Sequence, residues 1–256
     1  MDFTLSTYRH LLLAFRQAGY QAITFADYCE GLRPERFVIL RHDVDAAPRN
    51  AWNFAQMEAQ EGLRGSYYFR SVPQSWNETI IKNMAALGHE VGFHYESLSS
   101  CKGDVKAAIK DFEVHLKALR ALCPVKTIAM HGSPRSPYDS KALWKSYDYR
   151  DYGLIGEPYL DVDFERVFYL SDTGRRWDGW QVSVRDKVAR QANWQAQGLT
   201  FRHTKELVAA LREERFPAQV MMTFHPQRWH AAWWPWVWEL LWQNTKNVVK
   251  RFLVKA

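Results

Sequence analysis

Cysteine is scarce in this chain. Cys29, Cys101 and Cys123 are odd in number and widely spaced. They offer neither a disulfide framework nor a Cys-x-x-Cys metal knuckle, so a reducing cytoplasm is the expected setting. No stretch of ~18 consecutive apolar residues occurs, which argues against a membrane-spanning helix. The richest run, Ala231 to Trp242, is broken by Pro235 and Glu239. The opening residues Met1-Asp2-Phe3-Thr4 lack the basic-then-apolar pattern of a secretory signal. Also missing are a GxGxxG after the first strand-like segment and a GxxxxGK[ST], so no nucleotide-phosphate cradle is expected. Neither a Gly/Ser-rich linker nor an internal repeat divides the chain. A single domain is expected over 1–228, with 229–256 as a C-terminal helix.

What is present is an apolar, aromatic and basic sequence. Its 256 residues are 47% hydrophobic, enough for a sizeable core and too apolar for a disordered chain. Of its 12 Trp, six lie between positions 229 and 242. The net charge is +6, but four cations and no acids follow Trp242 (Lys246, Lys250, Arg251 and Lys255). The basicity therefore belongs mainly to the tail, and nucleic acid is not an expected partner. Pro235 to Phe252 has helical spacing, with two readings open. It is either a last helix packing its Trp face on the domain, or an interfacial helix touching the inner face of a membrane peripherally.

Strand-like and helix-like segments alternate along the rest. Strands are predicted over Arg36–Val44, Gly65–Arg70, Glu90–Glu96, Val125–Met130, Gly153–Ile155, Val167–Leu170 and Gln219–Phe224. Helices are predicted over Thr7–Ala18, Pro48–Gly62, Asn77–Leu87, Val105–Leu122 and Thr204–Arg215. The buried run Phe37-Val38-Ile39-Leu40 suits a parallel strand. Repeated β-then-α units argue for an α/β fold with a parallel sheet.

The polar chemistry falls at the strand ends: Arg41-His42-Asp43-Val44-Asp45, Arg70, His94-Tyr95-Glu96, His131-Gly132-Ser133, Ser171-Asp172-Thr173 and His225-Pro226-Gln227-Arg228. In a parallel barrel those ends share one cleft. In extended chain, residues two apart face the same way, so Asp43 and Asp45 enter the cleft together, as do His94 and Glu96. Paired carboxylates with several histidines suit a divalent ion with N/O ligands and an open water position.

These residues resemble the NodB-like polysaccharide deacetylases, carbohydrate esterase family 4, over roughly Phe37 to Trp229. The carriers are Arg41-His42-Asp43-Val44-Asp45, Gly88-His89-Glu90-Val91-Gly92-Phe93-His94 and Thr223-Phe224-His225-Pro226. The resemblance implies a distorted (β/α)7 barrel in a single domain. By it, Asp43 is the catalytic base, Asp45 and His94 bind metal, and His225 is the acid that protonates the leaving amine, with Asp172 or Asp178 orienting it. One position departs: Leu98 stands where the family has its second metal histidine. Glu96 or His131 could replace it, and His131 is favoured because it restores an Asp/His/His set. The segment Met130-His131-Gly132-Ser133-Pro134 also looks like that of deacetylase-like proteins of cell-surface polysaccharide biosynthesis.

The expected activity is metal-dependent removal of an N-acetyl or N-formyl group from a sugar, in cell-surface polysaccharide or lipopolysaccharide biosynthesis. One divalent ion is expected, zinc first, with Co, Fe, Mn or Ni as alternatives. Arg41, Arg70, Glu96, Arg176 and Arg228 are the expected substrate contacts. Their guanidinium content suggests an acidic sugar or polysaccharide precursor. Trp177, Trp180 and Trp229 suit either sugar stacking or the core. Two other readings stand beside this one: a catalytically silent carbohydrate-binding barrel, and a metal amidohydrolase acting on a small non-sugar amide.

Overall fold

The computed structural model describes residues 1–132, 136–178 and 188–230, with Trp234, Trp236 and Val237. Its centre is β2 (Phe37–Val44), whose eight residues are all buried. β7 (Gln219–Phe224) runs along one edge of it, in parallel from Phe37↔Gln219 to His42↔Phe224. The other edge is shared. β1 (Gln21–Ile23) covers Phe37 to Ile39, and β3 (Ser66–Phe69) takes over at Arg41. β4 (Glu90–Tyr95) and β5 (Ile128–Met130) extend the sheet beyond β3, while β6 (Phe168–Ser171) lies outside β7.

Every pairing is parallel, in the order β5-β4-β3-β2-β7-β6, and the sheet curls into an open α/β barrel with helices. Because all strands run the same way, their carboxyl ends gather at one rim. The seven strands correspond to the expected number with one exchange. β1 is a three-residue strand that the sequence pattern does not reveal. The predicted Gly153–Ile155 strand reduces to a single bridge, Thr127↔Gly156, beside β5. Gly153 has φ 66°, a left-handed turn that closes the short 3-10 helix before it and leaves little extended chain.

Four of the predicted helices are trimmed at their ends, and the first begins two residues earlier than expected. α1 (Leu5–Gln17) starts where the Thr4 side chain accepts from the Thr7 N–H, and it buries Tyr8, Leu11, Leu12 and Phe15. A short α2 (Phe25–Cys29) follows β1. α3 (Pro48–Gln60) opens on Pro48 and α4 (Glu78–Ala86) on an Asn77 cap. After β4 come the single turn α5 (Ser97–Ser100) and α6 (Val105–Arg120), capped by Asp104. α7 (Pro158–Asp161), α8 (Gln191–Ala196) and α9 (Thr204–Arg212) complete the order. Among the described residues no helix is long and apolar enough to cross a membrane. The predicted Pro235–Phe252 helix lies almost wholly outside the described residues, as do Trp180, Ser133 and Pro134.

Two packing details place the site. A Cβ on Gly92 would collide with the Tyr68 ring, so the glycine lets β3 and β4 approach closely. Glu157, fully buried, accepts the Met130 N–H at 3.0 Å and the Tyr159 N–H at 2.7 Å. It thereby ties the end of β5 to the start of α7.

Candidate active site

Arg41, Asp43 and Asp45 alternate along the end of β2 onto one face. The Arg41 guanidinium grips both Asp43 oxygens, Nε to Oδ1 at 2.8 Å and Nη2 to Oδ2 at 2.9 Å. Arg41 is fully buried. Its expected place at the substrate is therefore replaced by another: it fixes the Asp43 carboxylate as a bidentate partner. Asp43 Oδ2 stands 3.7 Å from His94 Nε2.

Asp45 is the point of convergence. Its Oδ2 accepts from Gln227 Nε2 at 3.0 Å. Its Oδ1 is buried without a hydrogen-bond partner. That oxygen lies 3.4 Å from His94 Nε2 and 3.5 Å from His131 Nε2. Burial opposes ionisation of Asp45, but His94, His131 and His225 around it hold its carboxyl well below the usual range.

The tautomers of the two histidines follow from their other nitrogens. His94 Nδ1 faces the Ala129 carbonyl at 2.9 Å, and a carbonyl only accepts, so Nδ1 carries the hydrogen. His131 Nδ1 faces Glu96 Oε2 at 2.8 Å. Burial raises the Glu96 carboxyl, but His131 and Arg70 outweigh it and pull the value down to about 2, so Glu96 is an acceptor too. With Nδ1 so engaged on each ring, Nε2 is the nitrogen that faces Asp45 Oδ1. A carboxylate oxygen and two imidazole nitrogens that converge in this way suit a shared proton or cation.

The expected metal set is thus brought together, though not as a closed cage. Among the described residues no group of three or more His, Cys, Asp or Glu side chains is placed so that it could hold a metal ion as it stands. In a tetrahedral site with bonds of about 2.0–2.2 Å, neighbouring ligand atoms lie about 3.3–3.6 Å apart. The two separations from Asp45 Oδ1 meet that spacing. The His94 and His131 rings stand edge to face with centroids 5.3 Å apart. In kind, a carboxylate with an orphaned oxygen and two outward Nε2 atoms fits a borderline divalent ion.

Leu98, at the position where the resemblance leads one to expect a histidine, is buried in the hydrophobic core on α5. His131 arrives from β5 instead. The register His94↔Ala129 and Tyr95↔Met130 sets it beside Glu96, and the His131 N–H donates to the Tyr95 carbonyl at 2.9 Å. Glu96, expected at the substrate, is occupied on both oxygens: Oε1 takes Arg70 and Oε2 takes His131.

The opposite side of the site is a histidine–aspartate pair. His225 Nδ1 lies 2.6 Å from Asp172 Oδ1, and the His225 N–H donates to Oδ2 at 2.9 Å. Asp172 is fully buried and also accepts from Arg228 Nη1 at 2.9 Å and Trp229 Nε1 at 2.7 Å. Burial works against its charge, but His225 and Arg228 outweigh it and keep Asp172 ionised. Burial and Arg228 disfavour the imidazolium, yet Asp172 and Asp45 prevail and raise His225 above its ordinary value.

Of the two acids that could orient His225, the geometry selects Asp172. Asp178 pairs with Arg176. Each arginine expected at the substrate is thus engaged by an internal carboxylate: Arg41 by Asp43, Arg70 by Glu96, Arg176 by Asp178 and Arg228 by Asp172. Trp177 and Trp229 are buried and pack with Phe3 and Phe224.

The Gln227 contact to Asp45 and the Arg70 contact to Glu96 lie outside the sequence expectations. Gln227 could have been read from its place two residues after His225 on the same loop. Nothing in the sequence signals which carboxylate Arg70 reaches.

No protein-family model matches the sequence, and no curated protein matches it by sequence. Among solved structures, the chain is similar to a CE4 esterase from Streptococcus mutans, with 13% identity over 93% of this chain and 90% of that one, at a TM-score of 0.46. It is similar to a family 4 carbohydrate esterase from Streptomyces lividans in complex with acetate, with 13% identity, 85% and 88% coverage and a TM-score of 0.41. A CE4 family pseudoenzyme from Bacillus anthracis is also similar, with 11% identity, 86% and 66% coverage and a TM-score of 0.41.

Proposed function

We propose that this chain is a metal-dependent hydrolase that removes an N-acyl group, acetyl or formyl, from a sugar. The observation that carries the reading is the orphaned Asp45 Oδ1, facing the Nε2 atoms of His94 and His131 at ligand spacing. Asp45, His94 and His131 would hold one divalent ion, zinc first among the candidates. When bound, the ion supplies Lewis acidity to the acyl carbonyl and to water.

The remaining chemistry belongs to the chain. Asp43, held by Arg41 on both oxygens, takes the proton of the attacking water as general base. Its orientation is fixed before substrate arrives, since the bidentate grip leaves the carboxylate no free rotation. His225 commits Nδ1 to Asp172, so Nε2 is the nitrogen left to hand a proton to the departing amine. Its raised value keeps that proton available near neutral pH.

A paired base and acid set against a ligand cluster suits hydrolysis better than silent binding, in which no such proton carriers are needed. With the arginines engaged internally, an acidic substrate loses its support, and a neutral N-acylated sugar is the class proposed. A place in cell-surface polysaccharide biosynthesis rests on the resemblance of the Met130–Pro134 segment. The test is hydrolysis of a panel of N-acetylated and N-formylated sugars and simple amides by metal-loaded protein. Turnover of sugars over simple amides supports the reading; turnover only of simple amides, or of nothing, overturns it.

A further inference from the structure

Among the groups around the site, one is neither a ligand nor a proton carrier. Glu96 follows His94 by two residues, just past the end of β4, where it could itself reach an ion. Its contacts point elsewhere. Oε1 accepts from Arg70 Nη2 at 2.6 Å and from Arg70 Nε at 3.0 Å. Oε2 accepts the His131 Nδ1 hydrogen at 2.8 Å. Arg70 also reaches the Asp45 backbone carbonyl through Nη1 at 3.4 Å, and its own N–H is held by Ser75 Oγ at 3.0 Å. One guanidinium therefore touches the main chain of one metal-ligand candidate and, through one carboxylate, the ring of another.

We infer that Arg70 and Glu96 form a positioning brace that makes His131 a metal ligand in place of the missing histidine at position 98. This inference rests on the metal-dependent reading above. The need for a brace follows from where His131 stands. It lies just past the end of β5, a strand of only three residues. A histidine one turn along a helix from its partner is oriented by the helix; one on a strand end has a freely turning ring. Glu96 removes that freedom by accepting Nδ1–H at 2.8 Å, which fixes the tautomer and the direction of Nε2. Arg70 in turn holds Glu96 in place through Nε and Nη2 on Oε1. Its backbone contact at Asp45 sets the distance between the two ligands it serves.

The test is Co(II) binding to metal-free protein, measured by calorimetry and by the visible spectrum of the bound ion. The set comprises wild type, Glu96→Ala, Glu96→Gln, Arg70→Met, His131→Ala and the Glu96→Ala/His131→Ala double variant, each checked for folding by circular dichroism. Glu96→Ala and Arg70→Met are expected to weaken binding about 10–100-fold. Glu96→Gln, which keeps an acceptor for Nδ1–H, should lose less and fold even if the alanine variant does not. In the His131→Ala background, Glu96→Ala should cost nothing further, because the brace then has nothing to hold.

Undiminished affinity in both Glu96 variants, or losses from Glu96→Ala and His131→Ala that simply multiply, would overturn the brace while leaving the metal site standing. A wild-type protein that takes up no Co(II) would instead remove the metal reading, and the brace with it.

Discussion

The two faces of β2 carry the same chemistry to opposite ends. On its inner face Asp45 meets two histidines; on its outer face His42 meets Glu58 of α3. Glu58 is fully buried and saturated: it accepts from Tyr8 Oη, from Tyr67 Oη at 2.7 Å and from His42 Nε2 at 2.7 Å, with His89 3.5 Å away. Burial opposes its charge, and His42, His89 and Tyr8 overcome that opposition. His89 is spent as well, with Nδ1 accepting from the Gly65 N–H and Nε2 donating to the Ala55 carbonyl. The outer cluster is complete without any ligand, apart from His42 Nδ1. The inner one turns an unpartnered carboxylate oxygen toward two imidazole Nε2 atoms. A carboxylate–histidine cluster is structural when its acceptors are filled by the chain, and chemical when they are left open to a guest.

Substitutions on each face should therefore separate activity from stability. The largest effect is expected from Asp43→Asn, which should lower turnover on the order of 10²–10⁴-fold while retaining bound metal. Kinetics beside metal analysis would check this, and unchanged turnover would take Asp43 out of the mechanism. On the outer face, Glu58→Ala strands three donors in the core. It should cost about 3–5 kcal/mol in urea unfolding with the metal content per folded chain unaltered. A metal loss there would mean that the two clusters are not independent.

The acid pair offers a smaller, directional effect. His225 must be protonated to act, so activity should fall as pH rises through its elevated pKa. Asp172→Asn removes the charge that elevates it, and the alkaline limb of kcat/KM should move to lower pH, by about tenfold in activity for each unit. A limb that stays in place would assign it to another group. The smallest effect on catalysis is expected from Arg176→Ala. Arg176 is tied to the buried Asp178, so the variant should cost stability, about 1–3 kcal/mol or more for a carboxylate left without its partner, and leave KM for the sugar unaltered. A marked rise in KM would restore Arg176 to substrate contact.

Much of this architecture is legible in the sequence, for definable reasons. β2 carries the apolar run Phe37–Leu40 and β7 the run Val220–Met222, each followed by polar residues, and burial on both faces leaves such runs few alternatives to a central parallel strand. The alternation Asp43-x-Asp45 places two acids in one cleft by strand geometry alone. β1 escaped because three residues pair through the edge of β2 and carry no pattern of their own. The arginines were legible as charges but not as partners. Whether Arg41 faces a substrate or Asp43 depends on a two-residue offset along one strand and on the depth of burial, neither of which composition encodes. Likewise Asp172 and Asp178 are equivalent as letters. Only the parallel register of β6 on β7, Ser171↔Thr223, brings Asp172 beside His225 and leaves Asp178 to Arg176.

The central claim, that Asp45, His94 and His131 hold one divalent ion, is most directly tested by the metal content of the protein. Protein purified without chelator and exchanged against zinc should carry one equivalent per chain by elemental analysis, and His131→Ala should carry far less. Wild-type protein that remains metal-free after incubation with Zn, Co, Fe, Mn or Ni, or a His131→Ala variant that retains the full equivalent, would contradict it.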